Sequence, residues 1–148
     1  MPLALLRCTF PRARQDYAAL LAVPATLSWW EAAGGLEAGA AHSRALLADA
    51  CALLAAEWRT PPPVEGGACA APMALVQLPL GGRAFTPTDG KAVQDRLHAL
   101  RVEIPVKTIN GRLFARVSAA VYNERADYER LAEAVRTTRW EEVLGSGR

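Results

Sequence analysis

The dipeptide Asn110-Gly111 constrains this chain more than any other feature. It sits between two β-prone runs, Val102 to Ile109 and Arg112 to Val121, and it is the pair that most readily takes the positive φ angles of a type I′ turn. A two-residue loop leaves no freedom of register. Ile109 must pair with Arg112, Lys107 with Phe114, Pro105 with Arg116 and Glu103 with Ser118. Leu113, Ala115, Val117, Ala119 and Val121 then share the core side with Val102, Ile104 and Val106, while Glu103, Lys107, Arg116 and Ser118 fall on the opposite face.

The elements around this hairpin follow from period and punctuation. A helix opening at Asp16 carries Tyr17, Leu20, Leu21, Leu27 and Trp30, is kinked or divided by Pro24, and stops at Gly34-Gly35. A longer helix from about Leu36 to Trp58 repeats apolar residues at Leu36, Ala40, Leu47, Ala50, Leu54 and Trp58. Pro61-Pro62-Pro63 and Gly66-Gly67 form a linker that no helix or central strand tolerates. Met73 to Leu78 suits a short buried strand, and Thr86-Pro87 or Thr88-Asp89 opens a helix with Val93, Leu97 and Leu100 on one face. Asn123 is the expected N-cap of a last helix with Tyr128, Leu131 and Val135 inward.

The resulting order predicts an α+β fold in which helices pack on a small mixed β-sheet. Residues 1–14 read as an irregular tail, 15–60 as a two-helix segment, 61–140 as a small α+β domain and 141–148 as a frayed end.

Composition narrows the function classes. At 148 residues the chain can bury a core of its own, and 51% hydrophobic with 22% charged residues is the balance of a globular domain. A formal charge of +2 supplies too weak a basic field for nucleic acid to be the expected partner. The apolar start Met1 to Leu6 is broken by Arg7, too short for a signal core or a membrane span, so no membrane is expected and the location reads as cytoplasmic. Cys8, Cys51 and Cys69 form neither a disulfide framework nor a zinc motif. His42 and His98 have no ligand-spaced neighbours, so no metal is expected.

No serine-hydrolase elbow, zinc-protease helix, phosphate loop or dinucleotide fingerprint is present. Arg116 draws attention because a guanidinium in the middle of a strand needs an anion to hold. Its diagonal neighbour Glu103 offers an ordinary surface ion pair, the plainer explanation. Fifteen of the seventeen basic residues are arginine, which leaves Lys91 and Lys107 as the lysines available to any chemistry that needs one.

Several stretches together resemble one family. Val102-Glu103-Ile104-Pro105-Val106, Gly111 to Ala119, Tyr122-Asn123 and Asp127 to Leu131, with Asp16 to Ala25 and Met73 to Pro79 upstream, are similar to the C-terminal part of class V aminotransferases. Within that pyridoxal-phosphate family the isopenicillin N epimerase-like members are most similar. The resemblance spans roughly Gln15 to Val135 and implies the C-terminal small domain of a fold-type I enzyme. It implies that the Arg-x-Ser-x-x-x-Tyr-Asn pattern, here Arg116, Ser118, Tyr122 and Asn123, binds substrate, with Arg116 holding its α-carboxylate.

Two departures qualify what the resemblance implies. The family's Trp-x-Gly-Thr-x-Asp element is replaced by Pro11-Arg12-Ala13-Arg14-Gln15-Asp16. The family's large domain, with its Schiff-base lysine, lies N-terminal to everything matched, and neither Lys91 nor Lys107 takes that lysine's place. The expectation is therefore a C-terminal fragment or short isoform of such an epimerase, transaminase or lyase. It would hold an amino-acid substrate in the parent enzyme, bind no pyridoxal phosphate and have no catalytic residue of its own. An exposed apolar patch containing some of Leu20, Leu27, Trp29 and Trp30 is then expected. The other readings are a standalone α+β module that binds amino acids, and a protein that docks onto or dimerises with a full-length paralogue.

Overall fold

The computed structural model describes residues 17–62 and 73–145. The tail 1–14, the helix start at Asp16, most of the Pro/Gly linker and the final 146–148 lie outside the described residues. Two compact units divide the chain, Met1–Leu36 and Glu37–Arg148.

In the first unit Pro24 divides the helix, as expected. Helix α1 covers Ala18–Leu21 and α2 covers Val23–Ala32, with Pro24 in the first turn of α2, where its missing N–H costs nothing. Leu20, Leu27 and Trp29 are 67%, 50% and 55% exposed, and Trp30 is half-buried with its ring edge-on to Trp29 at 5.1 Å. No residue of either helix is buried.

The second unit is α+β. Helix α3 spans Gly35–Trp58 and buries Ser43, Leu47, Ala50, Cys51, Leu54 and Trp58. Its buried stripe starts later than the sequence period suggests, for Leu36 is exposed and Ala40 only half-buried. Strand β1 (Met73–Gln77), helix α4 (Pro87–Ala99), strands β2 (Val106–Ile109) and β3 (Arg112–Ser118) and helix α5 (Arg125–Thr137) follow. The sheet order is β1-β3-β2, with both neighbours antiparallel to β3. The sheet is thus wholly antiparallel among the described residues, a correction to the mixed sheet expected. β1 and β2 run parallel with β3 filling the gap between them, which makes β1-α4-β2 a split β-α-β unit.

The hairpin register is the one the two-residue turn dictates. Ile109 pairs with Arg112 and Lys107 with Phe114, and Asn110 and Gly111 take φ of 49° and 73°. Beyond Val106 the ladder stops. Arg116 N–H donates to the Pro105 carbonyl at 2.9 Å, but proline has no N–H to return the bond. β2 is therefore shorter than the run from Val102, and Glu103 never reaches its expected partner Ser118. At the other end β3 stops at Ser118 and the chain turns, Asn123 N–H donating to the Ala120 carbonyl at 3.0 Å. This turn leaves Val121 exposed rather than in the core.

Val76, Val106, Leu113, Ala115, Val117 and Ala119 join Leu47, Leu54, Val93, Leu97, Leu131 and Val135 in one buried cluster. Helix α4 approaches the sheet so closely that a Cβ on Gly90 would lie 2.8 Å from Thr108 Oγ1. Of the end 141–148 expected to fray, residues 141–144 belong instead to a short helix α6, Trp140–Leu144. Its anchor is the buried Trp140, whose Nε1–H donates to the Val135 carbonyl at 2.8 Å.

Candidate functional site

Arg116, Ser118, Tyr122 and Asn123, nine to two residues before the start of α5, line a single cleft of about 450 Å³. β3 supplies Arg116 and Ser118, the turn after it supplies Tyr122 and Asn123, and α5 closes the side with Asp127, Tyr128 and Arg130. The turn from α4 into β2 supplies Arg101 and Glu103. All of these lie within the second unit.

Glu103 does not pair with Arg116. Released from the ladder by Pro105, its carboxylate lies 3.4 Å from His98 Nε2, and both side chains are well exposed. The Arg116 guanidinium makes no hydrogen bond or ion pair with any described residue. The plainer explanation of Arg116 as half of a surface pair therefore fails. A planar fork of donors is left lining a cleft, the geometry that receives a carboxylate in two parallel bonds.

The other three residues differ in how much of their chemistry is available. Tyr122 is 82% exposed at the mouth. The Ser118 carbonyl accepts from the Tyr128 hydroxyl at 2.8 Å, while its own hydroxyl makes no bond with a described residue. Burial pushes the Tyr128 phenol up from its ordinary value, with the Asp127 charge adding to the effect. Asn123 is committed at both ends of its amide. Its Oδ1 accepts from Ala120 N–H at 3.0 Å and its Nδ2 donates to Asp127 Oδ2 at 3.2 Å.

Asn123 was the expected N-cap, but α5 starts one residue later, with Glu124 in that position. Asp127 reaches back to accept from Glu124 N–H at 3.0 Å. That backbone bond, then the Asn123 amide, hold the Asp127 carboxyl below its usual value against some desolvation, with Arg130 adding a favourable charge. The carboxylate bordering the cleft is thus occupied with capping the helix, and the turn it fixes sets Tyr122 and Asn123 in place beside Arg116.

A second cleft, of about 560 Å³, lies between the loop after β1 and α6. Sequence reasoning missed the residue that organises it. Arg83 donates to both oxygens of Asp89 at 3.0 and 2.7 Å and sits 4.9 Å over the Phe85 ring. Asp89 also accepts from Thr86 N–H at 2.7 Å, which joins the guanidinium to the capping box of α4. These bonds hold the Asp89 carboxyl far below its usual value, the arginine bonds contributing most. The motif Thr86-x-x-Asp89 is visible in the sequence, while Arg83 lies outside it. Among the described residues that line this cleft Arg83 is the one cation, and it is already satisfied within the protein.

Both lysines of the chain stand on exposed positions. Lys91 Nζ is held at 2.6 and 2.7 Å by the Asp95 carboxylate on an exposed stretch of α4, and Lys107 is exposed on the outer face of the sheet. Schiff-base formation needs a desolvated amine, and neither lysine is one. His42 is exposed, and no group of three or more metal-ligating side chains occurs among the described residues. No helix among them is long and apolar enough to cross a membrane. No protein-family model matches the sequence, and no curated protein is significantly similar to it.

Proposed function

We propose that this chain is the C-terminal small-domain part of a class V aminotransferase-like, isopenicillin N epimerase-like pyridoxal-phosphate enzyme, contributing the grip on the substrate carboxylate and not the cofactor lysine. The observation that carries this reading is the unpaired Arg116 guanidinium, lining one cleft with Ser118, Tyr122 and Asn123. A charge-assisted hydrogen bond to a carboxylate contributes about 1.5–3 kcal/mol, enough to fix the orientation of a small amino acid. Ser118 and Tyr122 border the same space with hydroxyls that can meet the remaining polar atoms.

Alone, the chain holds the substrate and performs no chemistry on it. Parent reactions of this class share the cofactor and the carboxylate grip, so epimerisation, transamination and lyase chemistry all place the same demand on Arg116. The exposed apolar residues of α1 and α2 supply surface for the rest of such an enzyme, whether covalently continuous or a full-length paralogue.

Borohydride reduction of the full chain mixed with pyridoxal phosphate, followed by mass spectrometry, tests the division of labour. The expected result is scattered, substoichiometric labelling of Lys91 and Lys107. A saturable one-to-one adduct lost on substituting either lysine would overturn the reading.

A further inference from the structure

The cleft carries a net positive charge, with three guanidiniums against two carboxylates. Arg101, Arg116 and Arg130 all line it, against the carboxylates of Glu103 and Asp127. The Glu103 carboxylate lies 3.4 Å from His98 Nε2, an ion pair only when that imidazole is protonated, and Asp127 is engaged with the α5 cap and lies in the field of Arg130. Arg101 and Arg116 remain, and neither guanidinium has a hydrogen bond or ion pair with a described residue. They come from different elements, β3 and the turn that ends α4.

Arg101 also occupies an expensive backbone position. It follows the end of α4 with φ of 62°, its N–H donating to the His98 carbonyl at 2.9 Å, while Val102 N–H reaches the Leu97 carbonyl at 3.0 Å. This is the Schellman arrangement, in which glycine is the residue of lowest cost. The backbone would accept glycine there, so the arginine side chain is not needed to make the turn.

We propose that the cleft binds an amino acid bearing two anionic groups, a dicarboxylic amino acid, with the α-carboxylate on Arg116 and the side-chain carboxylate on Arg101. This rests on the reading of Arg116 as the carboxylate grip and adds the substrate class. A neutral side chain would leave Arg101 without its partner inside the cleft, so the second anion sets the preference.

Calorimetric titration of the full chain with L-glutamate and with L-glutamine tests the inference, since the two differ only in the side-chain charge. Glutamate is expected to bind about tenfold more tightly. Arg101→Gly should remove that preference by lowering glutamate affinity toward that of glutamine, and should not lower the thermal unfolding midpoint, because glycine relieves the turn. Equal affinity for the two ligands, with binding still lost in Arg116→Gln, would overturn the substrate class and leave the carboxylate grip standing. Binding that survives Arg116→Gln, or no binding of either ligand, would overturn both.

Discussion

At the level of single residues, Arg116 and Gly90 show opposite limits of what a sequence reveals. Arg116 is conspicuous because a mid-strand guanidinium is unusual, but its significance depended on Glu103, and only the structure shows that Pro105 ends the ladder and sends Glu103 toward His98. Gly90 looks like an ordinary weak point in a helix, where alanine stabilises by about 1 kcal/mol. In the fold a Cβ there would meet Thr108 Oγ1 at 2.8 Å, and turning that hydroxyl away would break its 3.1 Å bond to the Thr86 carbonyl. Gly90→Ala is therefore expected to destabilise the protein by about 1–3 kcal/mol, measurable by urea unfolding. An unchanged or higher stability would show that the helix and sheet can separate to admit a methyl group. Such close approaches involve residues 18 positions apart and leave no local signature.

Among the elements, the hairpin and the caps were the most legible because their chemistry is local. Asn110-Gly111 dictates the turn and the turn dictates the register, so the pairing from Ile109/Arg112 to Val106/Ala115 follows from two residues. The capping box of α4 was half visible, as Thr86 and Asp89, while its reinforcement by Arg83 depends on how a Gly-rich loop folds back. This assembly makes a pH prediction. The Asp89 carboxyl lies far below its usual value of 3.8 and Asp127 lies below it as well. Their contributions are fully present above that value and are lost as pH falls through it toward the folded-state values. Stability should decline on acidification below about pH 4, and Asp89→Asn should flatten that decline while lowering stability at neutral pH. Urea midpoints between pH 2 and 7 read this directly, and an Asp89→Asn profile parallel to the parent would contradict it. Helix α6 was not legible because five residues carry too little period, and it is held by contacts beyond the helix itself, the Trp140 bond to the Val135 carbonyl and the packing of Val143 and Leu144 on the core.

For the molecule as a whole, the α+β class could be read from the order of elements, whereas the placing of β3 between β1 and β2 could not. Strand adjacency is a long-range choice that short apolar runs do not encode. Every buried hydrophobic among the described residues lies between Leu47 and Trp140, within the unit Glu37–Arg148. Deleting residues 1–36 is therefore expected to leave cooperative unfolding in place, with stability changed by less than about 1 kcal/mol. A broad, non-cooperative transition would show that the second unit depends on the first. The cleft that this second unit builds around Arg116 is the centre of the proposed function. The most direct measurement is an NMR titration of the full chain that follows the Arg116 side-chain Nε–Hε with L-alanine and, separately, with L-alaninamide, which has a neutral amide in place of the carboxylate. The account predicts a saturable shift with alanine, none with alaninamide, and weakening of alanine binding by at least about tenfold in Arg116→Gln. Equal shifts from the two ligands, or alanine binding undiminished in Arg116→Gln, would contradict it.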